Sequence, residues 1–324
     1  MKKELLIDVG TVMPGEAPQR MAAHLYLPEQ LQRPPVVLFC VPGGGHNHRY
    51  FDLVIPGEDG TPHDITFSFA RRMAELGFVV VLFDPLATGA SSRPEAGYDL
   101  HPDILAEATG RAIAELQKRF HAGTASPDLP ALPGFVSIGV GHSLGALTIL
   151  LQQDRTSAHR GIALLGFATR GSPENLPAED HHLAHNPERA RAELSALTRK
   201  RFPETPYPFI KTGGRGAQIY GGGAEKRVMA VMRQIPDNLL AASGMFAVIP
   251  GSAAPEAARV EVPVLIVVGD KDMTGPLDEL APPFARSPKV EVVELPDTGH
   301  SHFAFASIDR LIERVAAWAR AQAG

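Results

Sequence analysis

Cysteine is nearly absent from this sequence: Cys40 is the single one among 324 residues. One thiol cannot form an internal disulfide, and chains without disulfides are typical of reducing compartments. Asp8 interrupts the first apolar stretch too early for the hydrophobic region of a secretory signal peptide. We therefore expect a cytoplasmic protein. Cys40 lies within an apolar run, so we predict that it packs in the core.

Long apolar runs and clusters of basic residues are missing as well. No stretch reaches the roughly 18–20 apolar residues that a membrane-spanning helix needs, since Asp, Gly or Pro interrupts every candidate. The formal net charge is −5, and no Lys- or Arg-rich face is evident that could neutralise phosphates. A hydrophobic fraction of 44% is ordinary for a globular protein. We therefore expect no membrane span and no nucleic-acid partner.

Short β-branched runs alternate with segments of helical periodicity along most of the chain. This alternation predicts an α/β fold, in which helices flank a mostly parallel central sheet. Two early runs, 4–9 and 21–27, have no helix between them and predict an antiparallel hairpin at the sheet edge. The later predicted strands are 36–41, 78–83, 135–140, 162–165, 264–268 and 290–295. The predicted helices are 65–76 with Asp64 as N-cap, 104–120 with Asp103 as N-cap, 144–153 and 308–319.

Residues 169–245 differ in character from the rest of the chain. They are rich in proline and in charged helical segments, and they contain the glycine clusters 213–216 and 221–223. We predict that they form a mainly helical cap inserted into a core of residues 1–168 and 246–324, because a structureless insertion of this length is unusual. Seven aromatic and methionine side chains, six in this segment and one next to it, either line a largely apolar pocket or pack against the core. They are Tyr207, Phe209, Tyr220, Met229, Met232, Met245 and Phe246.

The sequence from Gly141 to Gly145 matches the pattern G-x-S-x-G. It directly follows a predicted strand and precedes a predicted helix. Small residues on both sides of Ser143 let the backbone bend sharply and lift the serine hydroxyl above the sheet. We predict that Ser143 is a nucleophile. The alternative is an ordinary turn whose serine caps the helix.

A serine nucleophile needs a neighbouring base, and the base needs an orienting acid. Asp272 and His300 lie in the loops after the last two predicted strands. The carboxyl ends of parallel strands share one edge of a sheet, which is where open α/β sheets place their sites. Asp270 and His302 compete for the same roles from the same loops. We predict His300 as the general base and Asp272 as the acid that orients it.

The developing oxyanion needs hydrogen-bond donors. The amide of Leu144 directly follows the nucleophile. The glycine turn 43–45, which follows a predicted strand, allows a second backbone amide to approach closely. We predict that the amides of Leu144 and Gly44 form the oxyanion hole, with a merely flexible glycine turn as the alternative.

Four segments together resemble the α/β-hydrolase superfamily: 43–45, 141–145, 269–272 and 299–300. Residues 83–91 are similar to the D-x-x-G-x-G-x-S loop of that family, with Ala87 in place of its first glycine. Pro42 is a departure, because many members carry histidine before the glycine turn. The resemblance covers nearly the whole core and implies an α/β-hydrolase fold with a nucleophile elbow, a catalytic triad and an oxyanion hole.

The position of the nucleophile holds Ser143. The haloalkane dehalogenase and epoxide hydrolase branches of the superfamily use Asp at that position, so the resemblance argues against them. The resemblance implies a serine hydrolase of the carboxylesterase or lactonase kind, acting on a small-molecule acyl substrate through an acyl-enzyme and needing no cofactor. Acyl transfer or C–C bond hydrolysis by the same triad stays open, as does a non-catalytic ligand-binding protein of this fold. A monomer and a homodimer also stay open.

Several histidines raise the question of a metal site, because imidazole is a common metal ligand. No nearby carboxylate or thiolate completes a recognisable ligand set. We therefore predict no metal site, and we note that His46 and His48 flank the proposed oxyanion loop. The histidines considered are His46, His48, His181, His182 and His185.

Overall fold

The computed structural model describes residues 2–57, 62–209 and 223–324. Its strands are, in chain order, β1 (Lys2–Gly10), β2 (Gln19–Tyr26), β3 (Val36–Val41), β4 (Ile55–Pro56), β5 (Pro62–Asp64), β6 (Val79–Asp84), β7 (Val136–His142), β8 (Gly161–Leu165), β9 (Val264–Gly269) and β10 (Val290–Leu295). Within the described residues, a sheet of eight strands runs in the order β1-β2-β6-β3-β7-β8-β9-β10, and β4 and β5 form a separate ribbon.

The strand directions confirm the predicted sheet. β2 is antiparallel to both of its neighbours, β1 and β6, whereas β6, β3, β7, β8, β9 and β10 pair in parallel. The hairpin expected at the edge is therefore present. The parallel strands bring their carboxyl ends to one edge, and the loops that carry the proposed site residues follow β3, β7, β9 and β10.

Side chains of the central strands alternate between two hydrophobic layers. In β3, which is buried along its whole length, Val37 and Phe39 belong to one layer while Leu38 and Cys40 belong to the other. Burial on both faces explains why this run is continuously apolar rather than alternating. The prediction that Cys40 packs in the core is confirmed.

Helices cover both layers. They are α1 (Phe69–Glu75), α2 (Pro102–Ala122), α3 (Leu144–Thr156), α4 (Pro187–Arg201), α5 (Lys226–Met232), α6 (Ala241–Val248), α7 (Ala254–Arg259) and α8 (Ile308–Ala321). α2 and α3 pack in the layer that contains Phe39, whereas α1 and α8 pack in the layer that contains Cys40. None of the helices in the described part of the chain combines the length and the apolar character needed to cross a membrane.

Two predicted helix starts are wrong. α1 begins at Phe69 and is capped by Ser68, because the Asp64 carboxylate caps an earlier turn instead. α2 begins at Pro102, one residue before the predicted N-cap Asp103, since proline is preorganised for the first helical position. Both helices occupy the predicted places between strands.

The long segment between β8 and β9 carries α4, α5, α6 and α7. The predicted boundary at residue 245 falls inside α6. Of the two glycine clusters, residues 213–216, 221 and 222 lie outside the described residues. Gly223 is described, and its φ of 105° lies in the region that favours glycine.

Candidate active site

Ser143 occupies the sharp turn between β7 and α3. Its φ of 52° lies in a region that residues with side chains rarely adopt. The turn needs two glycines, because a Cβ on Gly141 would overlap the backbone of Ala146 and one on Gly145 would overlap the carbonyl oxygen of Val41. The strand, turn and helix therefore place the serine hydroxyl at the carboxyl edge of the sheet, as the G-x-S-x-G pattern predicts.

His300 reaches Ser143 from the loop after β10. Its Nε2 lies 2.8 Å from Ser143 Oγ, and its Nδ1 lies 2.7 Å from Asp272 Oδ1. The side chain of His300 is 12% exposed and that of Asp272 is fully buried. The structure thus brings the three predicted residues into one chain of hydrogen bonds from hydroxyl to imidazole to carboxylate. An arrangement of this kind can remove a proton from a serine hydroxyl.

Opposing effects set the pKa values of Asp272 and His300. Burial would raise the pKa of the Asp272 carboxyl, but His300 and His302 hold it well below its ordinary value through charge and hydrogen bonding. Burial alone would lower the pKa of His300, and the Asp272 carboxylate outweighs burial and raises it. Asp272 is therefore a carboxylate, and His300 is a stronger base than an isolated imidazole.

Asp270, the competing acid, has a different set of contacts. Its carboxylate oxygens accept hydrogen bonds from the backbone N–H groups of Asp297, at 2.9 Å, and Thr298, at 2.8 Å. The residue is exposed. Asp270 therefore shapes the loop that carries His300, and its hydrogen bonds go to that loop rather than to the imidazole.

His302, the competing candidate for the base, contacts Asp272 instead of Ser143. Its Nε2 lies 2.8 Å from Asp272 Oδ2, the oxygen that His300 does not bond. The His302 side chain is fully buried. The structure therefore gives Asp272 two imidazole partners, one on each carboxylate oxygen.

Two residues behind Ser143, His142 and Tyr50, were missed by sequence reasoning. His142 Nε2 lies 2.8 Å from the carbonyl oxygen of His300 and 3.1 Å from the hydroxyl of Tyr50. His46 stacks on Tyr50 with ring centroids 4.7 Å apart. Burial, together with the nearby His300, lowers the pKa of His142 and lowers that of His46 to about 4. Both rings are therefore neutral at pH 7, and His142 supports the backbone of His300.

The two residues predicted to form the oxyanion hole lie beside Ser143. Gly44 and Leu144 line the same cavity as Ser143. Leu144 is the first residue of α3, so its N–H has no acceptor within the helix. A Cβ on Gly44 would overlap the side chain of Leu239, so the glycine turn is packed tightly. The structure thus brings both predicted donor residues to Ser143.

The segment between β8 and β9 also contacts the glycine turn 43–45, through Asp237. The N–H of Asp237 donates to the carbonyl oxygen of Gly45 at 2.7 Å. Its carboxylate accepts from the Asn47 side chain at 2.9 Å and from the N–H of Gly89 at 2.7 Å. Asp237 and Asn47 are 190 residues apart in sequence, so no local pattern could indicate this contact.

A cavity of about 220 Å³ opens onto Ser143. Its lining residues are Gly44, Ser143, Leu144, Gly166, Phe167, Ala168, Gly171, Ser172, Leu239, Gly244, Ala247, Val248, Met273, Thr274 and His300. Apart from Ser143 and His300, the polar side chains among them are Ser172 and Thr274. In the described part of the chain, the wall carries no acidic side chain and no Lys or Arg. The cavity therefore suits an uncharged group.

The large side chains considered for a pocket lie elsewhere, as far as they belong to the described residues. None of the described ones lines this cavity. Those that pack in the hydrophobic core are Tyr207, Met232, Met245 and Phe246. Met229 packs against the core, Phe209 is 63% exposed, and Tyr220 lies outside the described residues. The part of the wall around α6 is formed instead by small and aliphatic residues, which carry no recognisable pattern in the sequence.

Two of the histidines considered as metal ligands meet a carboxylate: His182, whose Nε2 lies 3.1 Å from Glu193 Oε2, and His48. His48, His24 and Asp84 place their ligand atoms within 4.8 Å of one another. However, Asp84 already accepts the ring nitrogens of His48 at 2.7 Å and His24 at 3.2 Å, and the backbone N–H groups of His48 and Ala90. The two imidazoles stack with centroids 3.4 Å apart, which differs from a tetrahedral arrangement of ligands around an ion. The group is a hydrogen-bonded anchor for the loop that follows β6.

The sequence profile of the alpha/beta hydrolase family matches residues 37–318. No curated protein matches the chain.

Among solved structures, a thermostable carboxyl esterase from Bacillus coagulans has a TM-score of 0.66 at 16% identity, over 100% of this chain and 99% of that one. An esterase from Exiguobacterium antarcticum has a TM-score of 0.62 at 14% identity, over 94% and 96% of the two chains. The N-acyl homoserine lactonase AidH, complexed with N-hexanoyl homoserine, has a TM-score of 0.54 at 15% identity, over 98% and 97%. These similarities show a shared fold.

Proposed function

Because the chain belongs to the alpha/beta hydrolase family, we propose that it is a serine hydrolase that cleaves esters of small, uncharged acyl groups. The observation that carries the proposal is the hydrogen-bonded chain from Ser143 through His300 to Asp272. An esterase and a lactonase among the proteins of similar fold are consistent with this chemistry.

In the proposed reaction, Ser143 Oγ attacks the ester carbonyl carbon while His300 Nε2 takes the serine proton. The N–H groups of Leu144 and Gly44 stabilise the negative charge that develops on the carbonyl oxygen. His300 then gives the proton to the departing alcohol, which leaves an acyl group on Ser143. Water, deprotonated by His300, releases the acid and regenerates the serine. Asp272 holds the imidazole tautomer throughout.

The size of the cavity limits the acyl group. A cavity of about 150 Å³ accommodates benzene. At the same packing, the 220 Å³ found here has room for roughly nine carbon atoms. Its apolar wall gives no partner to a charged group, and burying an unpaired charge is costly. Esters of short aliphatic acids therefore fit better than long-chain or charged esters.

We propose that the segment between β8 and β9 acts as the cap. It contributes Leu239, Gly244, Ala247 and Val248 to the cavity wall. Because α6 crosses residue 245, the inserted unit is better described as running from β8 to β9. Its contact through Asp237 with the glycine turn means that the cap supports the chemistry as well as selecting the substrate.

The acid limb of kcat/KM should lie above the ordinary histidine pKa of about 6.5. His300 must be neutral to take the serine proton, and its pKa is raised by Asp272, so activity is lost as the pH falls through that raised value. Rates on an activated short ester should be measured between about pH 5 and 9, with the fold checked by circular dichroism. A limb centred well below the ordinary value, or a flat profile, would contradict the assignment.

The acyl preference tests the cavity. With a series of p-nitrophenyl esters, kcat/KM should be highest for short chains and fall for dodecanoate. In Gly244→Val, a new side chain enters the cavity beside Leu239. We expect hexanoate to lose about fourfold in kcat/KM for each excluded methylene, with acetate nearly unchanged.

Val248→Ala provides the matched control, because it widens the same wall and should favour longer chains. Equal losses for acetate and hexanoate in Gly244→Val, with the fold preserved, would show that α6 does not set the chain length.

If the reaction is hydrolysis, the acid and the alcohol of the ester should appear in equal amounts. If added alcohol is instead acylated in preference to water, the reaction is acyl transfer.

A further inference from the structure

Two imidazoles converge on the buried carboxylate of Asp272. His300 Nδ1 bonds Oδ1 at 2.7 Å, and His302 Nε2 bonds Oδ2 at 2.8 Å. The backbone N–H of Met273 also donates to Oδ1, at 2.6 Å. The side chains of Asp272 and His302 are both fully buried. Each carboxylate oxygen therefore has a donor, and the second imidazole is not used in the reaction described above.

The surroundings of His302 define which ring nitrogen carries its proton. Nε2 faces the carboxylate, whereas Nδ1 is buried and has no hydrogen-bond partner among the described residues. A proton on Nδ1 would be a buried donor without an acceptor, which is unfavourable. A proton on Nε2 instead allows His302 to donate to Asp272 Oδ2 and leaves no unpaired N–H at Nδ1.

The local backbone allows both histidines to reach one carboxylate. The N–H of His302 donates to the carbonyl oxygen of His300 at 3.0 Å, which closes a tight turn between them. His142 Nε2 lies 2.8 Å from the same carbonyl oxygen. This turn lets the two rings meet Asp272 from different sides.

We propose that His302 is a positioning residue, whose hydrogen bond holds the Asp272 carboxylate at the rotation where Oδ1 meets His300 Nδ1. This inference rests on the proposed function, because it concerns the same triad. The final torsion of an aspartate is broad, so a carboxylate that is bonded on one side only can rotate. Anchoring both oxygens keeps His300 in the tautomer that accepts the serine proton at Nε2.

The same hydrogen bond keeps the negative charge on Asp272 while His300 carries the serine proton. Donation by His302 favours the carboxylate over the carboxylic acid. Among the described residues, the other titratable groups near this pair include His142, whose ring contacts both His300 and His302, and His46, which lies near His300. Burial lowers the pKa of His142 and of His46, so these neighbours add no positive charge that would compete for Asp272.

Three variants test this role. His302→Leu removes the donor, and His302→Gln places an amide N–H near the position of Nε2. The double variant combines His302→Leu with Asp272→Asn. We expect His302→Leu to lower kcat on a short ester about ten- to a hundredfold, the usual range for a hydrogen bond to a charged group. KM should change little because His302 does not line the cavity.

The pattern across the variants distinguishes positioning from general support of the fold. His302→Gln should recover most of the lost kcat. In the Asp272→Asn background, adding His302→Leu should cost less than about twofold, because the residue acts through Asp272. Equal costs in the two backgrounds, or wild-type kcat in His302→Leu, would overturn the proposal.

His159→Leu is the matched control. His159 is also buried, and it is hydrogen-bonded to Ser137 and Gln152 at the opposite end of β7 from Ser143. Its loss should lower the unfolding temperature and leave the kcat of the folded enzyme unchanged. If His302→Leu behaves in the same way, His302 is structural.

A readout independent of turnover separates this inference from the proposed function. The proton NMR signal of the His300 Nδ1–H reports its hydrogen bond to Asp272. We expect His302→Leu to shift or broaden that signal and His302→Gln to restore it. If the wild-type chain hydrolyses no ester but the signal responds as expected, the proposed function fails and the positioning role stands. An unchanged signal in His302→Leu would overturn the positioning role.

Discussion

Ser143→Ala should lower kcat for a short ester by roughly 10⁶-fold, the loss seen when the nucleophile of a serine-protease triad is removed. The reason is that no acyl-enzyme can form without Oγ, and the oxyanion donors and the cavity then supply only residual catalysis. The fold should persist, because the Ser143 hydroxyl is hydrogen-bonded to His300 and Ser143 is not part of the hydrophobic core. The measurement is the initial rate at saturating ester, with thermal unfolding as the check on folding.

Ser137→Ala is the matched control for that variant. Ser137 lies in the same strand, β7, near the end opposite Ser143, where it bonds His159 and Gln117. Its replacement should leave kcat close to wild type. A Ser143→Ala enzyme that keeps more than about one per cent of wild-type kcat would remove Ser143 from the proposed role, since an activated nucleophile supplies far more than that.

Asp272→Asn should lower kcat by about 10⁴-fold, as the equivalent change does in the serine-protease template. The asparagine amide can donate to His300 Nδ1, which moves the imidazole proton to Nε2, where it blocks acceptance of the serine proton. Loss of the carboxylate charge also removes the cause that raises the pKa of His300. The acid limb of the residual activity should therefore move to lower pH.

Asp270→Asn makes the same chemical change two residues away and is the natural comparison. Its carboxylate accepts backbone N–H groups of the loop that carries His300, and asparagine can still accept one of them. We expect kcat to fall by no more than about tenfold, the effect of weakening one hydrogen bond. If Asp270→Asn proves the more damaging of the two, Asp272 is not the acid of the triad.

The features of the fold and of the site that could be predicted from the sequence depend on short-range rules. A run of apolar residues, a glycine-flanked serine and a helical pattern together indicate a strand, a sharp turn and a helix, so the environment of Ser143 could be expected. Asp272 and His300 follow from the rule that parallel strands gather their carboxyl ends at one edge. The choice of His300 over His302 had no such rule behind it and was supported only by the resemblance of residues 299–300 to the family.

The structure shows why that choice was open. Both histidines reach Asp272, and which of them also reaches Ser143 depends on the turn between residues 300 and 302. The sequence places them two residues apart with no indication of that turn. Their roles differ through geometry rather than through residue type.

Other features could not be predicted because they join distant parts of the chain. Tyr50 meets His142 across 92 residues, and Asp237 meets Asn47 across 190. The cavity wall is formed by small residues such as Gly244, whose importance comes from the space that they leave rather than from a group that they present. The sequence therefore indicated the chemistry better than the substrate.

Mass spectrometry of the protein after exposure to a fluorophosphonate tests directly whether Ser143 is an activated nucleophile. This reagent phosphonylates a serine that a neighbouring base has activated. We expect one adduct per chain, mapped to the peptide that contains Ser143, with no adduct in Ser143→Ala and a much slower reaction in His300→Gln. An unlabelled but folded wild-type protein, or an adduct on another residue, would contradict this expectation.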